Sequence, residues 1–307
     1  MSFLRFPLFA VPLGTILLVA GARTWPFSSA APPPASPPLA AITHADPEAT
    51  RILDGALAAL DPGRIVWLEA TLWQRVNVQG IAYEATGRYL TGPGQRVRLE
   101  LKTRTSTGEG GVQIVSDGIT LWQAHRFVGD KWNRVTRLDM KAILATLAEP
   151  GTLPKLRDEF LQDHSFTGIL PLLQGLRQQM IWGPKETVRR GDREFIKLTG
   201  CWLPELAGNF APPGRPWPAG VPRQCRLYLD PRTLWPHRVE WWGSDPPRAG
   251  AVALVQMEFR SPVLNRPLTV ERCAAEFTFD TRAVGVVDQT REVAEKLKAR
   301  AQELAVQ

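Results

Sequence analysis

Cysteine and histidine are scarce: three Cys and four His in 307 residues. No CxxC pair occurs, which excludes thioredoxin-type exchange and argues against structural zinc. His44, His125, His164 and His237 stand far apart, and HExxH is missing. A GxSxG elbow, a P-loop and a GxGxxG fingerprint are absent as well. Asp158-Glu159 and Glu271 are the nearest approach to recruitable carboxylates, and solvated surface charge explains them more simply. The chain therefore offers no catalytic residue, no metal ligands and no cofactor motif, and it reads as a non-enzyme. The longest apolar run is about fifteen residues, short of the roughly 20 that span a bilayer as a helix. Net charge is +7, but the basic residues are dispersed and no block of like charge appears. A nucleic-acid tail is excluded on that ground. A modest attraction to anionic lipid surfaces stays open beside a plain solvated surface.

What is present begins at the N-terminus. Arg5 precedes an apolar stretch, Phe6 to Ala20, and Ala20-Gly21-Ala22 has the small-x-small form of a processing site. Residues 1–22 thus read as a secretory signal, removed or retained as an uncleaved anchor. No Cys lies near Ala22, which argues against lipid attachment there. A Pro/Ala-rich linker covers 23–44. The expected location is the periplasm or cell envelope. The folded part is expected over 45–287, with a Pro-rich insertion at 203–223 and a C-terminal helix at 288–307.

Asp46-Pro47 has the chemistry of a helix start, and Ala49, Ile52, Leu53, Ala56, Leu57 and Leu60 follow at helical spacing. Strands come next, from Ile65 to Val76 and from Ile81, where Ile81, Tyr83, Ala85, Gly87 and Tyr89 share one face. After the turn Thr91-Gly92-Pro93-Gly94, Val97, Leu99 and Leu101 alternate with Arg96, Arg98, Glu100 and Lys102. Val112 to Val115, Ile119 to Phe127 and Trp132 to Leu138 extend the series, with turns at Asp117-Gly118 and Gly129-Asp130. The period then changes. Met140, Ile143, Leu144 and Leu147 suggest one short helix, Leu156, Phe160 and Leu161 a second, and Ile169, Leu172, Leu173, Leu176 and Met180 a third. Strands resume on either side of Gly191-Asp192. The Arg190-Gly191-Asp192 triplet sits where a hairpin turn is expected, so adhesion is not inferred from it. Pro204 to Pro222 reads as a loop. Gln224 to Leu229, His237 to Trp242, Ala251 to Arg260 and Glu276 to Phe279 read as strands. The tail from Gln289 to Val306 has a thin stripe of Val293, Leu297 and Leu304. Eleven Trp exceed what a modest core absorbs, so several are expected to line a concave apolar surface covered by the central helices. Cys201 and Cys225 flank the insertion on two predicted strands. If those strands are neighbours a disulfide would clamp it; otherwise the thiols are buried and free.

Three segments carry a family resemblance. They are Gly87-Arg88-Tyr89-Leu90-Thr91-Gly92-Pro93-Gly94-Gln95-Arg96-Val97-Arg98-Leu99-Glu100, then Val115-Ser116-Asp117-Gly118-Ile119-Thr120-Leu121-Trp122, and Leu227-Tyr228-Leu229-Asp230-Pro231-Arg232-Thr233-Leu234-Trp235-Pro236-His237-Arg238-Val239. In order and spacing they resemble the LolA/LolB family of periplasmic lipoprotein carriers, as a distant member. The resemblance implies a mainly β (α+β) fold, with a curved antiparallel sheet forming an incomplete β-barrel under a short helical lid. It also implies a transport or chaperone role, binding lipid or lipoprotein acyl chains. The chain departs from the pattern in its length, its insertion and its helical tail.

On that reading the ligand cavity is expected among Trp67, Trp73, Tyr83, Tyr89, Leu99, Leu101 and Trp122. Leu144, Leu172, Leu173 and Leu176 form the lid, and Arg96 or Arg98 is a candidate latch donating to lid carbonyls. Which of the two points inward depends on register. Two other readings stay open: an envelope scaffold whose tail helix meets a protein partner, and a secreted hydrolase.

Overall fold

Period-two alternation governs most of this chain, and the alternating residues define two faces of one sheet. The computed structural model describes residues 42, 44–78, 81–105, 108–126, 133–148, 160, 168–212, 214–243, 251–280 and 285–305. The signal-like segment 1–22, the linker up to residue 41, Phe127, the turn at Gly129-Asp130, Trp132, and Leu156, Asp158-Glu159 and Leu161 lie outside the described residues.

Among the described residues, thirteen strands form a single sheet. They are β1 (Leu68–Val78), β2 (Ile81–Gly92), β3 (Arg96–Thr105), β4 (Gly108–Asp117), β5 (Thr120–Arg126), β6 (Asn133–Asp139), β7 (Met180–Trp182), β8 (Glu186–Arg190), β9 (Arg193–Trp202), β10 (Gln224–Leu229), β11 (Pro236–Trp242), β12 (Val255–Leu264) and β13 (Val286–Asp288). Their order is β13-β6-β5-β4-β3-β2-β1-β12-β11-β10-β9-β7, with β8 pairing β9. Every pairing is antiparallel except β13 on β6. The sheet is curved and unclosed, so the expected half-barrel is present.

One face carries the core. On β1, Leu68, Ala70, Leu72, Gln74, Val76 and Val78 are buried, while Thr71, Arg75 and Asn77 are exposed. The register continues this inner face through Tyr89, Leu99 and Ile114 on one side of β1 and through Phe259, Met257, Val239 and Leu227 on the other. Gly87 shows how tightly the strands approach: a Cβ there would lie 1.5 Å from the carbonyl oxygen of Glu100.

Helices α1 (Pro47–Ala59), α2 (Met140–Leu147) and α3 (Ile169–Gln179) cover this inner face, with Leu53, Ile143 and Leu173 all at 0% exposure. Asp46 caps α1, accepting from the Ala49 N–H at 2.8 Å, and Asp139 caps α2 through Ala142 at 2.9 Å. Phe160, at the expected second lid helix, is helical and buried. The tail forms α6 (Thr290–Ala305), which packs on α2 and β6 with Val293 and Ala301 buried. Arg137 donates to Asp288 at 2.8 Å beside that contact.

Two expectations are corrected. Residues 204–222 are not wholly loop, because Pro204 at the first turn starts a short helix, α4 (Pro204–Phe210). Glu276 to Phe279 is not a strand. Thr269 caps a helix, α5 (Val270–Glu276), by accepting from the Arg272 N–H at 3.3 Å.

Leu72 sits at the middle of β1, fully buried between Gly87 of β2 and Phe259 of β12. Leu72→Ala should lower unfolding stability by about 2–5 kcal/mol. Urea denaturation checks this, and a loss below about 1 kcal/mol would contradict the assigned inner face.

Candidate functional site

The site is built around the first turn of α3. Gly168 precedes that helix in left-handed backbone (φ 107°) and supplies no capping side chain. Tyr89 of β2 caps the helix instead. Its hydroxyl meets the backbone N–H of Ile169 and the side chain of Thr91. A Cβ on Gly168 would lie 1.4 Å from the Tyr89 oxygen, so glycine is required both for the φ and for the approach. Burial pushes the Tyr89 hydroxyl far above the ordinary phenol range, against the smaller lowering by Ile169 and Thr91, so it stays protonated. Its ring meets Phe259 edge-on at 6.3 Å between centroids.

Held this way, α3 roofs a hollow of about 760 Å³ between itself, the end of α1, and β1–β3. Leu60, Ile65, Val66, Leu68, Val97, Ile169 and Leu170 supply its apolar wall, and Thr91, Gln95, Arg96, Gln174 and Gln178 its polar groups. That volume falls within the roughly 300–1,000 Å³ of small-molecule sites. Among the described residues no three His, Cys, Asp or Glu side chains gather to hold a metal. Glu271 is exposed, and its carboxylate is engaged with Thr269 at the start of α5.

Of the predicted cavity residues, Tyr89 lines the hollow, and Tyr83, Leu99 and Leu101 lie on the same inner face, packed in or against the core. The three Trp do not. Trp67, Trp73 and Trp122 have the opposite parity and occupy the outer face. Trp67 packs on Gly92 and lies 6.4 Å from Phe277. Trp122 stacks on Phe279 at 5.7 Å. Trp73 lies between the guanidinium groups of Arg75 and Arg260, at 5.6 and 5.1 Å. The physical reason is on β1 itself: Leu68, Ala70 and Leu72 form the buried set, and Trp73 shares the other parity with Glu69, Thr71 and Arg75.

The lid residues divide. Leu173 and Leu176 are fully enclosed in the core and Leu172 packs against it, whereas Leu170, Pro171, Gln174 and Gln178 turn to the hollow. Leu144 belongs to α2, which packs on α6, β5 and β6. Arg98 is no latch to α3. It shares the outer face with Glu100, donates to that carboxylate, and reaches the Glu276 carbonyl at 2.6 Å. Arg96 donates to the Pro93 carbonyl at 3.1 Å, at the edge of the hollow. Cys201 and Cys225 are free. Cys225 pairs with Gly200 and Cys201 with Gln224, so the two side chains leave opposite faces of the sheet and cannot bridge. Desolvation and the Glu240 charge push the buried Cys225 thiol up, which leaves it unreactive.

Sequence reasoning missed Pro62, Ile65, Val66, Gln174 and Gln178, which lie before β1 and on the α3 face that Leu170 shares, away from Leu173 and Leu176. It also missed Glu276, which accepts from Arg88 at 2.7 Å and ties a strap across the outer face.

No family model and no curated protein matches the chain. Among solved structures it is similar to the Mycobacterium tuberculosis lipoprotein LppX (11% identity, TM-score 0.37, covering 74% of this chain and 100% of that one). It is similar to a LolA superfamily protein from Nitrosomonas europaea (12%, TM-score 0.27, 76% and 98%). A third likeness is the Pseudomonas aeruginosa MucA/MucB complex (14%, TM-score 0.34, 77% and 64%).

Two outcomes follow from this geometry. Tyr89→Phe should leave the Ile169 N–H without its partner and cost about 1–2 kcal/mol, with faster amide exchange confined to α3 as the local signature. Glu276 titrates below the ordinary carboxylate range: burial raises it, but the Arg88 hydrogen bond and the charges of Arg88, Arg98 and Arg272 outweigh burial. A depressed folded-state pKa gives stability that is fully present above the unfolded value, roughly 4.3, and lost as pH falls through the folded one. The stability gap between wild type and Glu276→Gln should therefore shrink on acidification from neutral pH, as read by urea midpoints.

Proposed function

We propose that the chain is an exported, non-enzymatic binder of an apolar ligand, with the acyl chain of a lipid or lipoprotein held beneath α3. The single observation that carries this reading is the half-roofed aliphatic hollow, bordered on one side by Arg96, Gln95, Gln174 and Gln178. Such a wall favours hydrocarbon, and each CH₂ removed from water contributes about 0.8 kcal/mol. An acyl chain of ordinary length therefore gains on the order of 10 kcal/mol before ordering costs. The polar border suits the headgroup or ester end of an amphiphile. Transfer then needs no covalent step, only a competing apolar site. The signal-like N-terminus supports a periplasmic or envelope location, and the motif resemblance to lipoprotein carriers points the same way.

The scaffold reading gains less support. The apolar stripe of α6 is already engaged, with Val293 and Ala301 buried and Leu297 packed against the core. Its exposed side is charged, with Arg291 paired to Glu295 and Lys296 to Glu292.

Binding of a fluorescent fatty acid by the full-length chain tests the proposal. Leu170→Glu puts a charge in the hollow and should weaken binding at least about tenfold, the cost of burying an unpaired carboxylate. Trp73→Ala, on the outer face, should leave affinity unchanged. Equal binding by the Leu170→Glu variant, or the absence of any binding by wild type, would overturn the reading.

A further inference from the structure

The end of the sheet that opens the hollow carries a second feature. Four segments meet solvent there: 62–67 before β1, the 92–96 turn, the 117–119 turn, and 263–266 at the end of β12. The ladder fixes them side by side, since Leu68 faces both Leu264 and Thr91, Gly92 faces Arg96, and Arg96 faces Asp117. Asn265, at φ 55°, joins 263–266 to its neighbour 62–67. Its side chain accepts from the Val66 N–H at 2.9 Å and donates to the Arg64 carbonyl at 2.7 Å, and its own N–H donates to the Trp67 carbonyl at 2.7 Å.

Val66, Ile119, Val263 and Leu264 stand on these segments with 42, 56, 40 and 45% of their surface in water. Buried positions lie close by in sequence, at Leu68 and Leu121. Arg64, Arg96 and Arg266 share the segments, and among the described residues none of the three has an ion pair. Two carboxylates lie beside them, Asp61, which accepts from the Gly63 N–H, and Asp117, which accepts from those of Ile119 and Thr120, so the three guanidinium groups outnumber them by one.

The geometry points to this end as a docking lip for an anionic lipid surface. Aliphatic side chains enter between headgroups, and unpaired guanidinium groups meet the phosphates. Either contact alone is weak, and the two together give stable but reversible attachment. Val66 and Arg96 also line the hollow, so docking sets its opening against lipid and an acyl chain can pass without crossing water. The lip does not depend on the ligand reading, because attachment and fatty-acid binding are measured separately.

The test uses the full-length chain with vesicles of phosphatidylcholine, alone or mixed with phosphatidylglycerol. Hydrogen exchange should slow at 62–67, 92–96, 117–119 and 263–266 on the mixed vesicles only, and not at 251–254 at the opposite end of the sheet. Removing two charges by Arg64→Ala with Arg266→Ala should lower partitioning about 25-fold, a factor of roughly five per charge. Ile119→Glu with Leu264→Glu should remove the protection. Fatty-acid binding in solution should be unchanged in both double variants, which separates this outcome from failure of the ligand reading. Sedimentation with vesicles without protection of the four segments would assign attachment to the N-terminal segment and overturn the lip. Equal protection by phosphatidylcholine alone, or undiminished partitioning of the Arg variant, would overturn it as well.

Discussion

The first turn of the helical roof rests on one phenol. The helix that covers the hollow starts at a glycine with no side chain to satisfy its first N–H groups, and Tyr89 reaches across from β2 to do so. Gly168 and Tyr89 are thus a single device, one giving the space that the other fills. Other ties hold the rest of α3. Arg177 donates to Asp54 of α1 at 2.7 Å, an exposed pair worth at most about 1 kcal/mol. Leu173 and Leu176 supply the main apolar hold. Ile169 is buried as well, Trp182 Nε1 donates to the Leu176 carbonyl at 3.3 Å, and the Leu203 N–H donates to the Gln179 carbonyl at 2.9 Å, so the helix is tied at both ends.

The outer face explains how the inner one stays apolar. Its large aromatic residues are stacked with arginines: Arg226 over Trp242 at 4.8 Å, Arg190 over Tyr228 at 4.4 Å, and Arg260 over Trp73. Beneath them Glu240 is 1% exposed, yet it accepts from Arg238 at 2.6 Å and from Tyr228 and Trp242 at 3.1 Å. Removing one partner would leave a buried charge uncompensated, a far larger loss than a surface pair. Farther along, Glu276 gathers Arg88 and Arg98 and carries Phe277 and Phe279 onto Trp67 and Trp122. Both ends of the sheet are therefore stiffened from outside, and the inner surface need not be filled to hold its shape.

Much of this was legible in the sequence because period two is a strong signal. Tyr83 to Tyr89 and Arg96 to Lys102 declare their buried faces, and the paired turns at Pro93-Gly94 and Asp117-Gly118 fix the meander. The site was harder to read. Trp67, Trp73 and Trp122 suggest a greasy wall by residue type, while their neighbours Glu69, Thr71 and Arg75 show by parity that they face outward. Arg98 could be assigned a face from Leu99, but its partner Glu276 lies 178 residues away and no local pattern announces such a pairing. On α3 the leucines look like the ligand-facing residues, yet a helix between a core and a hollow gives its largest side chains to the core. The cavity is left to Leu170, Pro171 and two glutamines.

The hollow keeps its shape because the elements around it are held in place. The hollow is roofed on one side only and admits water, so its apolar walls face solvent. Here collapse is resisted at identifiable points. The close approach at Gly87 fixes the β2–β3 separation, Tyr89 holds the start of α3 at a set height, and Asn265 pins the chain before β1 to the end of β12. Tyr89 borders the hollow, Asn265 holds the segment that carries its lining residue Val66, and Gly87 lies farther along β2. Moving the roof inward would break the Tyr89 contact, and moving β1 inward would break the Asn265 contacts. An apolar guest that displaced water from these walls would gain the transfer free energy of the surface it buries, and that gain is the physical basis of the proposed binding.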